Sequence, residues 1–146
     1  MCLHNWRFKD YNCILVKRNR QKRKSNNSKL IIVMSLMVSN GSEMIRYNPS
    51  TSAIEYSNSK GFSWFMRCRC SNMGKVRAMT LHKGEVILCS DQGIYFSKNF
   101  GMAWFKRGSE RNFVDIQDMG NELIATTSDG HIYASSSGGF SWFKRR

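Results

Sequence analysis

Three tryptophan-phenylalanine pairs, Trp64-Phe65, Trp104-Phe105 and Trp142-Phe143, stand 40 and 38 residues apart, and each is trailed by basic residues. A period of that length is the length of one four-stranded blade, and it restricts the chain to an array of small antiparallel units. The similarity reaches upstream of the tryptophans. In the second copy Val76 to His82 reads as a strand, Lys83-Gly84 as a turn, Glu85 to Ser90 as a second strand and Asp91-Gln92-Gly93 as a second turn. In the third copy Val114 to Met119, Gly120-Asn121, Glu122 to Thr127 and Ser128-Asp129-Gly130 fill the same places. Strands three and four are then expected at Ile94 to Ser97 with Ala103 to Lys106, and at His131 to Ser135 with Ser141 to Lys144. Gly and Asn occupy the turns, where positive φ is needed. The first copy is looser, with Leu30 to Ser39 as its first strand, Asn40-Gly41 as the turn and Asn48-Pro49-Ser50-Thr51 as a longer second turn. The expected fold is all-β: three four-stranded propeller-like blades over about 35–72, 73–111 and 112–146, preceded by a basic arm over 1–34.

The turns before the tryptophans carry Ser57, Ser59, Gly61 and Ser63, then Ser97, Asn99, Gly101 and Ala103, then Ser135, Ser137, Gly139 and Ser141. In this register they resemble the Asp-box, or BNR repeat, whose pattern is Ser-x-Asp-x-Gly-x-Thr-Trp on the hairpin between the third and fourth strands of a propeller blade. The chain departs from the box at the aspartate, which is replaced by Ser59, Asn99 and Ser137; these side chains make the same kind of turn bond. The resemblance implies a propeller and leaves activity open, because the box occurs in sialidases, other glycosidases, sorting receptors and non-enzymatic assembly factors. On this reading Ser57, Gly61, Trp64, Ser97, Asn99, Gly101, Trp104, Ser135, Gly139 and Trp142 are structural. The three tryptophans are expected in equivalent buried positions, each worth roughly 3 to 5 kcal/mol against Ala.

Catalysis finds little support. A glycosidase needs two carboxyl groups converging on one sugar-sized site. Asp91 and Asp129 occupy corresponding turns, where Asp is favoured for turn bonding, and Glu85 and Glu122 correspond at the starts of second strands. Glu110, Asp115 and Asp118 form an acidic group between the second and third copies. The Arg-Ile-Pro motif, the three substrate-clamping arginines and the Tyr-Glu nucleophile pair that sialidases share are not found; the one proline, Pro49, follows Asn48. Cys68 and Cys70 with His82 or His131 lack the spacing of a zinc site, and no metal or cofactor is expected. On one strand the two thiols would share a face opposite Arg69.

The net charge of +13 is unevenly placed. Residues 1–34 carry nine Lys/Arg against Asp10 alone, or +8, and residues 35–146 carry fourteen against nine acids, or +5. Within the arm, Lys17, Arg18, Arg20, Lys22, Arg23 and Lys24 have the composition of a phosphate-contacting segment, so nucleic acid is one expected partner. A solvated tail, or sequence upstream of a start at Met34 or Met37, is the competing reading. A second basic feature is Arg67, Arg107 and Arg145, which symmetry places along the fourth strands, to attract an acidic partner or to protect sheet edges.

Five cysteines in irregular spacing fit a reducing, cytoplasmic setting better than a disulfide framework. The apolar run Leu30 to Val38 is too short to cross a bilayer. Closed propellers have about four to eight blades, so completion by a homodimer or a larger protein is expected, the alternatives being an open three-blade array or a fragment of a longer propeller. The function expected is a non-catalytic binding or assembly module for a glycan or protein ligand; the alternatives are a sialidase-like glycoside hydrolase fragment and a nucleic-acid contact through the arm.

Overall fold

The computed structural model describes residues 35–145, and the basic arm therefore lies outside the described residues, as do residues 30–34 of the first expected strand. Among the described residues every regular element is a strand, and twelve strands form three four-stranded antiparallel sheets. The first holds β1 (Met37–Ser39), β2 (Met44–Asn48), β3 (Ala53–Ser57) and β4 (Phe65–Arg69). The second holds β5 (Val76–His82), β6 (Glu85–Ser90), β7 (Gly93–Ser97) and β8 (Phe105–Gly108). The third holds β9 (Phe113–Asp118), β10 (Leu123–Thr127), β11 (Ile132–Ser135) and β12 (Phe143–Lys144). In each sheet the strands run side by side in chain order. The first strands, β1, β5 and β9, are neighbours across the sheets, so the three meanders fan out from their inner strands in a partial propeller-like arrangement.

Registers make the repeat quantitative. Met44 pairs with Ser57, Val86 with Ser97 and Leu123 with Ser135, so Arg46, Leu88 and Ala125 are equivalent, as are Tyr56, Phe96 and Ala134. The pattern of side chains on opposite faces of each strand builds two cores rather than one. Val38, Ile45, Tyr47 and Ile54 of the first sheet meet Val76, Met79, Val86 and Leu88 of the second. The other face of the second sheet, with Ala78, Ile87, Cys89 and Ile94, meets Phe113, Ile116, Leu123 and Ala125 of the third. The middle sheet is buried on both faces, which explains the near-continuous apolar run of β6 and its almost complete burial.

Two expectations are corrected. The fourth strands begin at Phe105 and Phe143, two residues later than expected, because the amides of Ala103 and Ser141 are taken by the side chains of Asn99 and Ser137 and cannot join the ladder. The tryptophans occupy equivalent places but are half-buried rather than buried. Their outer edges lie over a surface hairpin; only Trp104 and Trp142 pack into an inter-sheet core.

Candidate functional site

The hairpin that ends each repeat is built the same way three times. The Ser57, Ser97 and Ser135 hydroxyls accept from the amides of Gly61, Gly101 and Gly139 at 2.9, 2.8 and 2.9 Å. Ser59 Oγ, Asn99 Oδ1 and Ser137 Oγ accept from the amides four residues on at 2.9, 2.9 and 3.0 Å. Each indole N–H then donates back to the glycine carbonyl, at 3.0, 3.1 and 3.2 Å, and locks its ring over the turn. At the tip Lys60, Phe100 and Gly138 hold φ of 54, 51 and 66°, followed by glycine at 87, 90 and 96°. Two successive left-handed residues are what a tight hairpin consistent with strand twist requires. A Cβ on Gly101 would come 3.2 Å from Ile45 Cδ1 and 3.4 Å from Ile54 Cγ2, so glycine is also what allows this turn to lie against the preceding sheet.

The carbonyl at the tip is a docking point for the preceding sheet. Arg67, on β4, donates to the Phe100 carbonyl at 2.7 Å, and Arg107, on β8, to the Gly138 carbonyl at 2.8 Å. Each guanidinium is held by a glutamate of its own sheet, Glu43 for Arg67 and Glu85 for Arg107. Tyr56 lies under Arg67, 4.3 Å from its guanidinium carbon; Phe96 and Phe140 flank Arg107 at 3.7 and 4.5 Å. The Arg107 Nε, closed in between those rings, has no hydrogen-bond partner. Arg145 pairs with Glu122 in the equivalent place at 2.6 Å, but with no further turn among the described residues to receive it, its side chain is 52% exposed against 7 and 4% for Arg67 and Arg107. Of the three arginines singled out in the sequence, two are committed to seams between sheets and one is open.

Beside the second seam lies a cleft of about 450 Å³, lined by His82, Lys83, Glu85, Phe96, Lys98 and Arg107 of the second repeat and Ser136, Ser137, Gly138 and Phe140 of the third. The Phe140 ring is 64% exposed. His82 bonds Asp118 across the seam, Nδ1 to Oδ1 at 2.7 Å, and closes the floor. Lys98 approaches Glu85 at 3.7 Å with its side chain largely in solvent, so its charge faces the opening. The cleft therefore offers basic side chains, turn hydroxyls and an aromatic edge to a ligand, the mixture of apolar wall and few polar groups that binding sites present.

Of the acids, Glu85 lines the cleft and Asp118 meets its floor through His82. The Arg107 hydrogen bond holds the Glu85 carboxyl below its usual range against the opposing effect of burial, and Lys98 adds to this. For Glu55 burial pushes up, and the hydrogen bonds and charge of Asn48 and Arg46 together outweigh it; for Asp118 burial likewise pushes up, and the His82 and Gly120 hydrogen bonds with the Lys83 charge together outweigh it. Asp129 is held down by Thr127. Asp91 caps the Lys75 amide at 2.9 Å and Asp115 accepts from Gln117 at 2.8 Å, so Asp115 and Asp118 of the expected acidic group have separate partners. Glu110 keeps one buried oxygen without a partner.

Cys68 and Cys70 both pack in the core between the first and second sheets. The Cys70 thiol and burial act in opposite senses on Cys68, and its pKa is lowered to about 7, while Cys70 is pushed up. Among the described residues no group of three or more His, Cys, Asp or Glu side chains is placed to hold a metal ion, and no helix is long and apolar enough to cross a membrane. The arm residues Lys17, Arg18, Arg20, Lys22, Arg23 and Lys24 lie outside the described residues.

The turns, the arginines and the correspondence of Glu85 with Glu122 are legible in the sequence, but Glu43 and the pairing of these glutamates with the arginines were not read from it. Glu43-Arg67, Glu85-Arg107 and Glu122-Arg145 recur 22 to 24 residues apart, a signal that was present in the spacing. Lys83, Lys98 and Phe140 were not singled out, because nothing local marks two turn tips from different repeats as neighbours.

No protein-family model matches the chain, and no curated protein matches it. Among solved structures it is similar to a GH74 enzyme of Niastella koreensis, with 19% sequence identity and a TM-score of 0.48 over 72% of this chain and 17% of that one. The chain thus spans less than a fifth of that enzyme's length.

Proposed function

We propose that the chain is a non-catalytic binding or assembly module of the Asp-box propeller type, and that it takes an acid-bearing glycan or protein ligand in the cleft between its second and third sheets. The observation that carries this reading is the division of labour among charges. Apart from Glu110, the carboxylates are spent on arginines, on turn groups, on Gln117 and on His82, whereas Lys83 and Lys98 stand at the mouth of a cleft edged by Phe140. A glycosidase acid needs a raised pKa, and the four carboxyls with a resolved shift are all held down. The turn serines and Asn99 support the Asp-box assignment by making the bonds that the aspartate side chain would make.

The test is calorimetric titration with sialylated and sulfated oligosaccharides, a neutral oligosaccharide of the same length and an acidic peptide. Binding of an acid-bearing probe that falls on adding salt, and is lost in the Lys83→Ala/Lys98→Ala double variant, is the expected result. Binding of the neutral sugar as well as the acidic one, or binding indifferent to both lysines, contradicts the assignment of the cleft.

A further inference from the structure

The two seams within the chain share one device, and its halves recur unengaged at opposite ends of the described array. At each seam an arginine of one sheet reaches the left-handed carbonyl of the next sheet's hairpin. The third sheet presents the donor half: Arg145, held by both Glu122 oxygens at 2.6 and 2.7 Å and 52% exposed. The first sheet presents the acceptor half: Lys60, left-handed like Phe100 and Gly138 but exposed, with no donor to its carbonyl among the described residues.

Two further features fit the same pairing, and in one respect the donor half departs from the device. Arg67 and Arg107 each lie against an aromatic ring of their own sheet, Tyr56 and Phe96, but the equivalent position beneath Arg145 is Ala134. The ring that covers Arg107 from the following sheet is Phe140, whose counterpart in the first sheet, Phe62, is 93% exposed. Beside Lys60 lies a cavity of about 310 Å³, lined by Ser39, Gly41, Ser42 and Met44, with room for an arginine side chain. We infer that the end faces of the first and third sheets dock on each other between two copies of this chain, with Arg145 of one copy on the Lys60 carbonyl and the Phe62 ring of the other.

Continuity with the two seams already present in the chain is what selects a second copy as the occupant. A head-to-tail contact either closes a ring or grows a filament. Two copies supply six blades, inside the usual range of closed propellers, whereas three would supply nine. The junction is more polar than the internal seams, since Arg46 and Glu55, bonded at 2.8 Å, stand where the second sheet has Leu88 and Tyr95. Its strength therefore depends on the guanidinium contacts.

Sedimentation equilibrium of the full chain over a range of concentrations tests this. The expected mass is twice the 16.9 kDa of the chain. Arg145→Ala and Phe62→Ala, both at exposed positions, should each weaken association by about tenfold or more while leaving the circular dichroism spectrum unchanged. Phe105→Ala, at a 59% exposed site on the middle sheet, should leave the mass as it is. A monomer at every concentration, an assembly of any mass other than two chains, or a dimer that neither Arg145→Ala nor Phe62→Ala weakens overturns the proposal.

Discussion

At the residue scale the arginines after each Trp-Phe pair differ in worth although their sequence context is the same. Arg107 is almost fully enclosed and satisfies Glu85 and the Gly138 carbonyl together. Its loss leaves the Gly138 carbonyl without its donor and Glu85, which is 24% exposed, to water and Lys98, so Arg107→Ala should cost about 1.5 to 3 kcal/mol in urea unfolding. Arg145→Ala, measured below the concentration at which copies associate, should cost about 0 to 1 kcal/mol, because its pair with Glu122 is solvent-exposed. The tryptophans divide in the same way. The Trp142 ring meets Phe113 edge-on at 4.9 Å inside a core, whereas Trp64 is covered by the Arg46 guanidinium at 4.1 Å. Trp142→Ala should cost about 3 kcal/mol or more and Trp64→Ala distinctly less, a difference that chemical denaturation of the two variants measures directly. The repeat made the tryptophans legible as a set; it could not tell which had a sheet in front of it.

At the scale of the element, the hairpins show how much of the fold local sequence carried. The second and third repeats were readable strand by strand because Lys83-Gly84, Gly120-Asn121 and the glycine-ended second turns punctuate alternating apolar runs. The start of each fourth strand was not, since a side-chain cap and a ladder amide compete for the same N–H and only geometry decides between them. The aspartate position of the box gives the corresponding test. Ser59 and Ser137 already accept the amides of Ser63 and Ser141, and a carboxylate accepts such a bond more strongly than a hydroxyl. Ser137→Asp should therefore stabilise the protein by about 0.5 to 1 kcal/mol. Ser97→Ala, which strips the buried acceptor from Gly101 N–H, should destabilise it by about 1 to 3 kcal/mol. Thermal melts of the two variants should move in opposite directions.

For the whole molecule, charge pairs at the seams and within the first sheet tie stability to pH. Glu85 and Glu55, with an ordinary value of 4.5, and Asp118, with 3.8, are all lowered in the folded chain. Groups shifted down contribute fully above their unfolded values and lose that contribution as pH falls through the lower folded ones. Stability should hold from neutral pH to about 5 and then decline, and Glu85→Gln should reduce the acid-dependent part of the loss while lowering stability at pH 7. The cleft at the second seam belongs to this scale too. It joins the β5–β6 and β7–β8 turns of one repeat to the β11–β12 turn of the next, and such a meeting place exists only once the sheets are fanned. The sequence announced the blades and the absence of a sialidase motif set, but the assembly of Lys83, Lys98 and Phe140 follows from packing between repeats.

If Glu110, Asp115 and Asp118 carry no chemistry, the proposed module binds without turning its ligand over. The direct measurement is hydrolysis of a panel of aryl glycosides and sialosides by the pure full chain, with Glu110→Gln, Asp115→Asn and Asp118→Asn assayed beside it. No release above the protein-free rate is expected from any substrate or variant. Turnover by the wild-type chain that one of these single carboxylate substitutions abolishes would contradict the non-catalytic reading.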